Sequence, residues 1–516
     1  MAKVNLDALI PREDLEIAQQ INNIPTDLFS SIGITSFQSG LLYPLLKKPD
    51  FQRETNEWDK KKICDFLESF SNGDLIPSII LWRSNTGFYF VIDGSHRLSA
   101  LISWINDDYG DGEVSRKFYE GNIPEEQKLI AEETRKLINK KIGSFQDIMQ
   151  ALNQNNNPKY VEIAKGISAY VIQVQWVRGG VEKAEQSFFK INQQGVALNN
   201  TEKKLLESRK KGNCIAARAI KTGGSGHKYW SDFKAEIQNE IQTLSEEINK
   251  SLFTPPLLST VKSIDLPIAG KISSSQTLPL ILDFVNIVNK LPADFKSTIN
   301  DDTTGNDTIT YLKRVRKIIW RINSVHSSSL GLHPLVYFYT LDGRHKPASF
   351  YAAAEFIDEL EKRNKISEFI KTRKLLEDFL LKYHYLSQQI NDKYKYATRS
   401  YKHIANMYLL LIDILQKDNN IDSVAITLCK DKNFNYLSLP QISTNHDIFA
   451  NFTTDKKSAV FIKEAIANPI RCKICNGLIH QNSITIDHIL RKQDGGLGAV
   501  NNGQLAHPYC NSTFKN

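Results

Sequence analysis

The strongest constraint on this chain lies near its C-terminus. Cys472-Lys473-Ile474-Cys475 and His507-Pro508-Tyr509-Cys510 form two pairs, each with two residues between the potential ligands, separated by 31 residues. A Cys-x-x-Cys turn presents both sulfurs on one side, about 2.3 Å from a zinc ion, and two such pairs close one tetrahedron. The spacing predicts a structural Zn2+ on Cys472, Cys475, His507 and Cys510 that clamps the loop between them. Without such a clamp a tail this short has too little core to offset the entropy of ordering it. Six cysteines in 516 residues do not make a disulfide framework, and three of them crowd into this tail. Clustered thiols in a reducing compartment point to metal. Cys64, Cys214 and Cys429 stand among apolar neighbours and read as buried thiols.

Inside the clamp, residues 483–486 read as a strand that ends at Asp487-His488. Asp494-Gly495-Gly496 reads as a loop, Asn501-Asn502 follows, and a short helix is expected from about Cys510-Asn511. From about Arg471 onward the pattern resembles the HNH, or ββα-metal, endonuclease family. The resemblance implies that His488 is the general base, that Asp487 and Asn511 hold a catalytic Mg2+ or Mn2+, and that Asn502 keeps the strand-turn geometry that aims His488. Those residue types suit phosphodiester hydrolysis: a divalent ion neutralises charge growing on the leaving oxygen, and neutral imidazole activates water near pH 7. There are two departures. His507 replaces the usual cysteine of the second knuckle, and Phe514 stands where a lysine is common, with Lys515 one position later.

A second motif lies in the N-terminal half. A strand over 88–92 leads into Asp93-Gly94-Ser95-His96-Arg97 and a helix from about 98 to 105. A strand, a glycine turn and a helix start bring N–H groups and the helix dipole to one point, where an anion is stabilised. Arg97 adds a planar fork for phosphate or carboxylate. With Gln52-Arg53 upstream and the stretch around Asn192 downstream, residues of about 30 to 210 resemble the ParB-like family named for its Asp-Gly-Gln-Gln-Arg motif. Ser95 and His96 replace the two glutamines. The resemblance implies a pocket that binds or senses a nucleotide, such as an NTP, through Gln52, Arg53, Asp93, Gly94, Ser95, His96, Arg97 and Asn192. Such a domain fused to an HNH module resembles GmrSD-like modification-dependent restriction enzymes and related anti-phage nucleases.

Helix and strand signals alternate around these motifs: helix over 58–70, strands over 79–82 and 169–177, helix over 182–191. From about 216 to 417 the periodicity is helical. The expected architecture is multidomain α+β, with a ParB-like α/β sensor domain at 1–211, a helical domain at 212–455 and the HNH domain at 456–516. On a helix over 307–322, Lys313, Arg314, Lys317 and Arg321 fall opposite an apolar face, a stripe suited either to a phosphate backbone or to solvent. The stretch from Lys393 to His403 mixes cations with aromatics, as a nucleic-acid groove does and as half-buried tyrosines on a surface helix also would. A net charge of +8 agrees with a polyanionic partner. No secretory signal or membrane span is expected, which implies a cytosolic protein without a membrane partner. The sequence thus predicts a metal-dependent endonuclease acting on double-stranded DNA, phage or modified, as a homodimer or with a partner subunit. Two other readings stand beside it: a DNA-binding regulator whose zinc knuckle docks without cutting, and a nucleotide hydrolase.

Overall fold

The computed structural model describes all residues except 1–2, 16–28, 39–41, 53, 155–156, 195–204, 206–207, 259, 275, 293–294, 440–451 and 516. Arg53 of the predicted pocket and most of the stretch after Asn192 therefore lie outside the described residues, as does the side chain of Asn192. The chain divides into two compact units. One comprises Met1–Phe233, Ser273–Pro279 and Lys296–Thr303, and the other Lys234–Ile272, Leu280–Phe295 and Thr304–Asn516. Among the described residues no helix is long and apolar enough to cross a membrane.

The first unit is built on a six-stranded mixed sheet. Its strands are β1 (Arg12–Glu13), β2 (Ser31–Gly33), β3 (Leu46–Pro49), β4 (Ile79–Arg83), β5 (Tyr89–Asp93) and β6 (Val171–Val177), in the order β1-β3-β5-β4-β6-β2. Strand alternation explains why β4 and β5 are apolar nearly throughout. Leu81 and Val91 enter a large core on one face, while Trp82, Phe90 and Ile92 enter a smaller one on the other. The first face is covered by helices including α1 (Lys60–Ser71), α2 (Ser95–Asn106) and α3 (Glu125–Lys141). The expected helix over 58–70 starts two residues later because the Asp59 side chain accepts the Lys62 N–H at 2.9 Å and caps it. On the second face Val181, Ala184 and Phe188 of α4 (Val181–Gln194) close over Phe51, with the Phe51 and Phe188 rings edge-on at 5.1 Å.

The second unit is helical apart from a C-terminal hairpin. Helix α5 (Ala235–Phe253) packs on α6 (Asn306–Ile322), where Glu247 accepts from Trp320 Nε1 at 2.8 Å and pairs with Arg316 at 3.3 Å. Helix α7 (Pro347–Lys362) presents Ala352, Ala353 and Phe356 to α9 (Ala397–Leu415), and Phe356 meets Tyr408 edge-on at 5.5 Å. Between them in sequence runs α8 (Ile366–Lys382), which carries the buried residues Arg373 and Glu377. Within the cation-aromatic stretch Tyr394 stacks on His403 at 3.8 Å, Lys393 lies over the ring of Tyr436 outside it, and Tyr396 is exposed. The hairpin consists of β7 (Thr485–His488) and β8 (Gly503–Ala506), followed by a short helical turn, Cys510–Phe514. Cys64 and Cys214 are buried as expected, whereas Cys429 is only half-buried.

Candidate metal centre and nuclease hairpin

The ligand atoms of Cys472, Cys475, His507 and Cys510 all lie within 4.8 Å of one another, and all four residues are buried. His507 Nε2 stands 2.9 Å from the Leu478 carbonyl oxygen, which fixes the tautomer with the proton on Nε2. That leaves the Nδ1 lone pair facing the sulfurs, 3.4 Å from Cys475 Sγ. Hydrogen bonding with Cys475 holds the Cys472 thiol far below its ordinary range, and hydrogen bonding with Cys472 holds Cys510 far above it. Three sulfurs this close cannot all be charged unless a cation neutralises them. Three thiolates and one imidazole are a donor set that fits a tetrahedral metal ion.

The cluster is braced by α8. Arg373, fully buried, donates from Nε to Glu377 at 2.7 Å and from its terminal nitrogens to the Leu330 carbonyl and, at 2.7 Å, to the Gly331 carbonyl. Its Nη1 lies 3.2 Å from His507 Nδ1. Glu377 in turn accepts the Leu478 N–H at 2.6 Å, just after the first knuckle. Burial alone would lower the Arg373 pKa, but Glu377 together with Cys475, Tyr337 and Cys510 raises it. The metal clamp expected from the sequence is thus only part of what orders the tail. Gly477 belongs to this contact, since a Cβ there would lie 2.2 Å from Arg373 Nε. A guanidinium pinned on four sides cannot step aside, so Gly477→Ala is expected to destabilise the second unit by ~1–3 kcal/mol in denaturant titrations.

The hairpin carries the predicted nuclease residues. β7 pairs antiparallel with β8, Asp487 opposite Gln504 and His488 opposite Gly503. The strand ends in Asp487 and His488, as the sequence predicts, and pleating sends the two side chains to opposite faces. Asp487 is buried, while Ile486 is exposed and His488 half-buried on the other side. Asp487 Oδ2 accepts from Gln504 Nε2 at 2.6 Å and from Lys515 Nζ at 2.8 Å. Lys515 also donates to the His488 carbonyl, wrapping the end of β7. Asn511 Nδ2 donates to Thr485 Oγ1 at 3.4 Å and to the Ile486 carbonyl at 3.3 Å, which places Asn511 beside the same strand. Asn502 holds the intervening loop, its Oδ1 accepting from Leu490 N at 2.8 Å and its Nδ2 donating to the Leu490 and Leu497 carbonyls at 3.1 and 2.8 Å. Sequence reasoning gave no role to Gln504 or to the Arg373–Glu377 pair. Gln504 was within reach of the sequence once its register opposite Asp487 was known.

In the first unit, β5 enters α2 through Gly94, whose φ is +98° and where a Cβ would stand 2.6 Å from Ile79 Cγ2. Only glycine fits such a left-handed, crowded position. Arg97 donates to Asp93 at 2.8 Å and to the Ser78 carbonyl at 3.0 Å, so part of the predicted anion fork is already used within the chain. Ser95 is buried, and His96 stacks on Trp58 at 5.6 Å with its Nε2 accepting the Glu57 N–H at 3.3 Å. Gln52 belongs to a buried charge cluster: Arg12 donates to its carbonyl at 3.0 Å and to Asp7, and Lys48 reaches Asp7 at 2.8 Å. Burial alone would raise the Asp7 carboxyl, yet Arg12 and Lys48 hold it well below the carboxylate range, while burial brings Lys48 down to about 8. These three residues escaped sequence reasoning because they lie in separate short segments.

The basic stripe on α6 is smaller than expected. Arg321 is buried, because the segment after α6 folds back over it: its Nη1 donates to the Ser328 carbonyl at 2.5 Å and its Nη2 pairs with Glu361 at 2.7 Å. Its place in the stripe is therefore corrected. Lys313 pairs with Glu240 at 2.7 Å, and Arg314 and Lys317 are exposed.

Comparison with known proteins supplies two matches. Residues 26–208 match the family model of the GmrSD restriction endonuclease, N-terminal domain, and residues 472–516 match that of the HNH endonuclease. No curated protein and no solved structure matches the chain.

Proposed function

We propose, for a chain that is a GmrSD-type restriction endonuclease with a C-terminal HNH nuclease domain, a hydrolase of DNA phosphodiester bonds, that the cut is made at the β7–β8 hairpin with His488 as general base. The observation that carries this reading is Lys515: an ammonium group sits against the buried carboxylate of Asp487, so the site already accommodates a cation there. Asp487 and Asn511 would hold a divalent ion such as Mg2+ or Mn2+, which when bound offsets negative charge on the phosphate and the leaving oxygen. His488, at the end of β7 where the chain must turn for its ring to share a site with Asp487 on the opposite face, takes a proton from water as the water oxygen attacks phosphorus, and the bond to the leaving sugar oxygen breaks. Asn502 acts as a positioning residue by fixing the loop that follows His488. The Cys472, Cys475, His507 and Cys510 site holds structural Zn2+ and keeps β8 and the C-terminal turn in register.

In the same proposal the division of labour follows the sequence. Residues 1–211 sense a DNA modification or a nucleotide, 212–455 grip or relay through cations such as Arg314 and Lys317, and 456–516 cut double-stranded DNA of phage or modified origin. Since one centre cuts one strand, a homodimer or a partner subunit supplies the second cut. The test is cleavage of modified and unmodified phage DNA by the purified chain with Mg2+ or Mn2+, with and without each NTP, alongside elemental analysis. Metal-dependent cleavage and about one zinc per chain are expected, the zinc following from four ligands around one tetrahedron. DNA left intact by zinc-loaded protein in every arm would refute the cutting role. Nucleotide turnover with intact DNA would favour the nucleotide hydrolase, and tight binding alone the regulator.

A further inference from the structure

The face of the hairpin that carries His488 is bordered by apolar side chains that stand in water. Ile486, Ile489 and Leu490 are between 52% and 62% exposed, Leu497 is 77% exposed and Val500 is 99% exposed. Single exposed apolar residues are ordinary on protein surfaces, but a cluster of them marks an interaction site. These are a cluster. Leu490 and Leu497 are both tied to the Asn502 side chain, Ile489 N donates to the Asn502 carbonyl at 2.8 Å, and Asn502 N donates to the Ala499 carbonyl at 2.9 Å. The loop also closes on itself, Gly496 N donating to the Arg491 carbonyl at 3.0 Å and Gly495 N to the Lys492 carbonyl at 3.1 Å. The backbone is therefore held in a shape that keeps the apolar tips outward.

What covers these tips follows from where they are. If His488 activates the attacking water, a reading on which this inference rests, the scissile phosphate must come within a few ångströms of the residue that immediately precedes Ile489. The apolar loop then lies against the duplex at the cleavage step. Phosphates are charged and hydrated, so the apolar surface that DNA offers is its base faces and sugars, inside the grooves. Lys492 is exposed in the same loop and gives a cation for a phosphate that flanks such an insertion, while Arg491 is paired with Asp494 at 2.8 Å.

We infer that Ile489, Leu490, Leu497 and Val500 form an apolar wedge that enters double-stranded DNA beside the scissile phosphate and unstacks one base step. Unstacking a base step is least costly at flexible pyrimidine–purine steps. The wedge therefore biases cutting toward TA and CA/TG steps, independently of any mark read elsewhere in the chain.

The experiment uses the full chain carrying His488→Ala, with Mg2+, on a duplex centred on the region the protein protects from chemical footprinting. 2-Aminopurine is placed at each position in turn, its fluorescence being quenched while it is stacked. The expected result is a rise at one step only. Leu497→Ala with Val500→Ala should abolish that rise and weaken binding, leaving zinc content and light-scattering mass unchanged. A probe that stays quenched at every position of a bound duplex would overturn the wedge. So would a loss of dimer mass in the double variant, which would assign the patch to contact between copies of the chain. Cleavage by the wild type at the same duplex is scored separately: unstacking without cutting would sink the catalytic reading and spare the wedge, cutting without unstacking the reverse. If the chain protects no DNA at all, both fall.

Discussion

Replacing His488 by alanine is expected to slow DNA cleavage by at least ~10²-fold, the usual loss when a general base is removed, while DNA affinity and zinc content persist. The geometry explains why the loss should be confined to the chemical step. His488 lies on the opposite face of β7 from Asp487, and no hydrogen bond from Asp487 or Lys515 to its ring is part of what holds the strand. Register across the hairpin comes from backbone pairing with Gly503, which alanine keeps. Single-turnover cleavage of a plasmid, with binding followed by anisotropy on the same preparation, separates the two quantities. Wild-type cleavage by the purified variant would place the base elsewhere.

Arg373→Ala is expected to be the most destabilising single change in the second unit, by ~3–5 kcal/mol, because it leaves the Glu377 carboxylate buried without its partner. It also takes donors from the Leu330 and Gly331 carbonyls beside the metal cluster. The pair is 0% exposed on both sides, so solvent screening does not soften the effect. Denaturant unfolding should show the loss, and zinc should be released to a colorimetric chelator at lower denaturant than in the wild type. Combining Arg373→Met with Glu377→Gln removes both charges and should recover part of the stability. If Arg373→Ala unfolds with the wild-type midpoint, the brace contributes nothing.

Local signals in the sequence carried the motifs and missed their supports. The strand-turn-helix at Asp93–Arg97 was legible because alternation and an Asp-Gly turn are short-range features, and Gly94 and Ile79 show why the glycine is needed. The metal cluster was legible from spacing alone. The strand ending in Asp487-His488 was legible at its end but begins at Thr485, because Gln481–Ser483 is a helical turn, and its pairing with Gln504 and Gly503 is not written in the strand itself. Arg321 has the same helical phase as Arg314, so periodicity put both outside. Burial of Arg321 depends on a return segment that no periodicity describes. Likewise Arg373 and Glu377, four residues apart on a helix, look like an exposed ion pair until the knuckle packs on them.

The brace also bears on portability. In sequence, residues 456–516 look like a cassette that could be cut out and fused to any DNA-binding partner. Excised, that segment would leave behind the carboxylate that receives the Leu478 N–H and the guanidinium beside His507. Gly331, where a Cβ would lie 2.4 Å from His507 Cδ2, would also stay behind. A transplantable version of this cutter would have to include α8, so the smallest unit that moves between proteins is larger than the motif that identifies it.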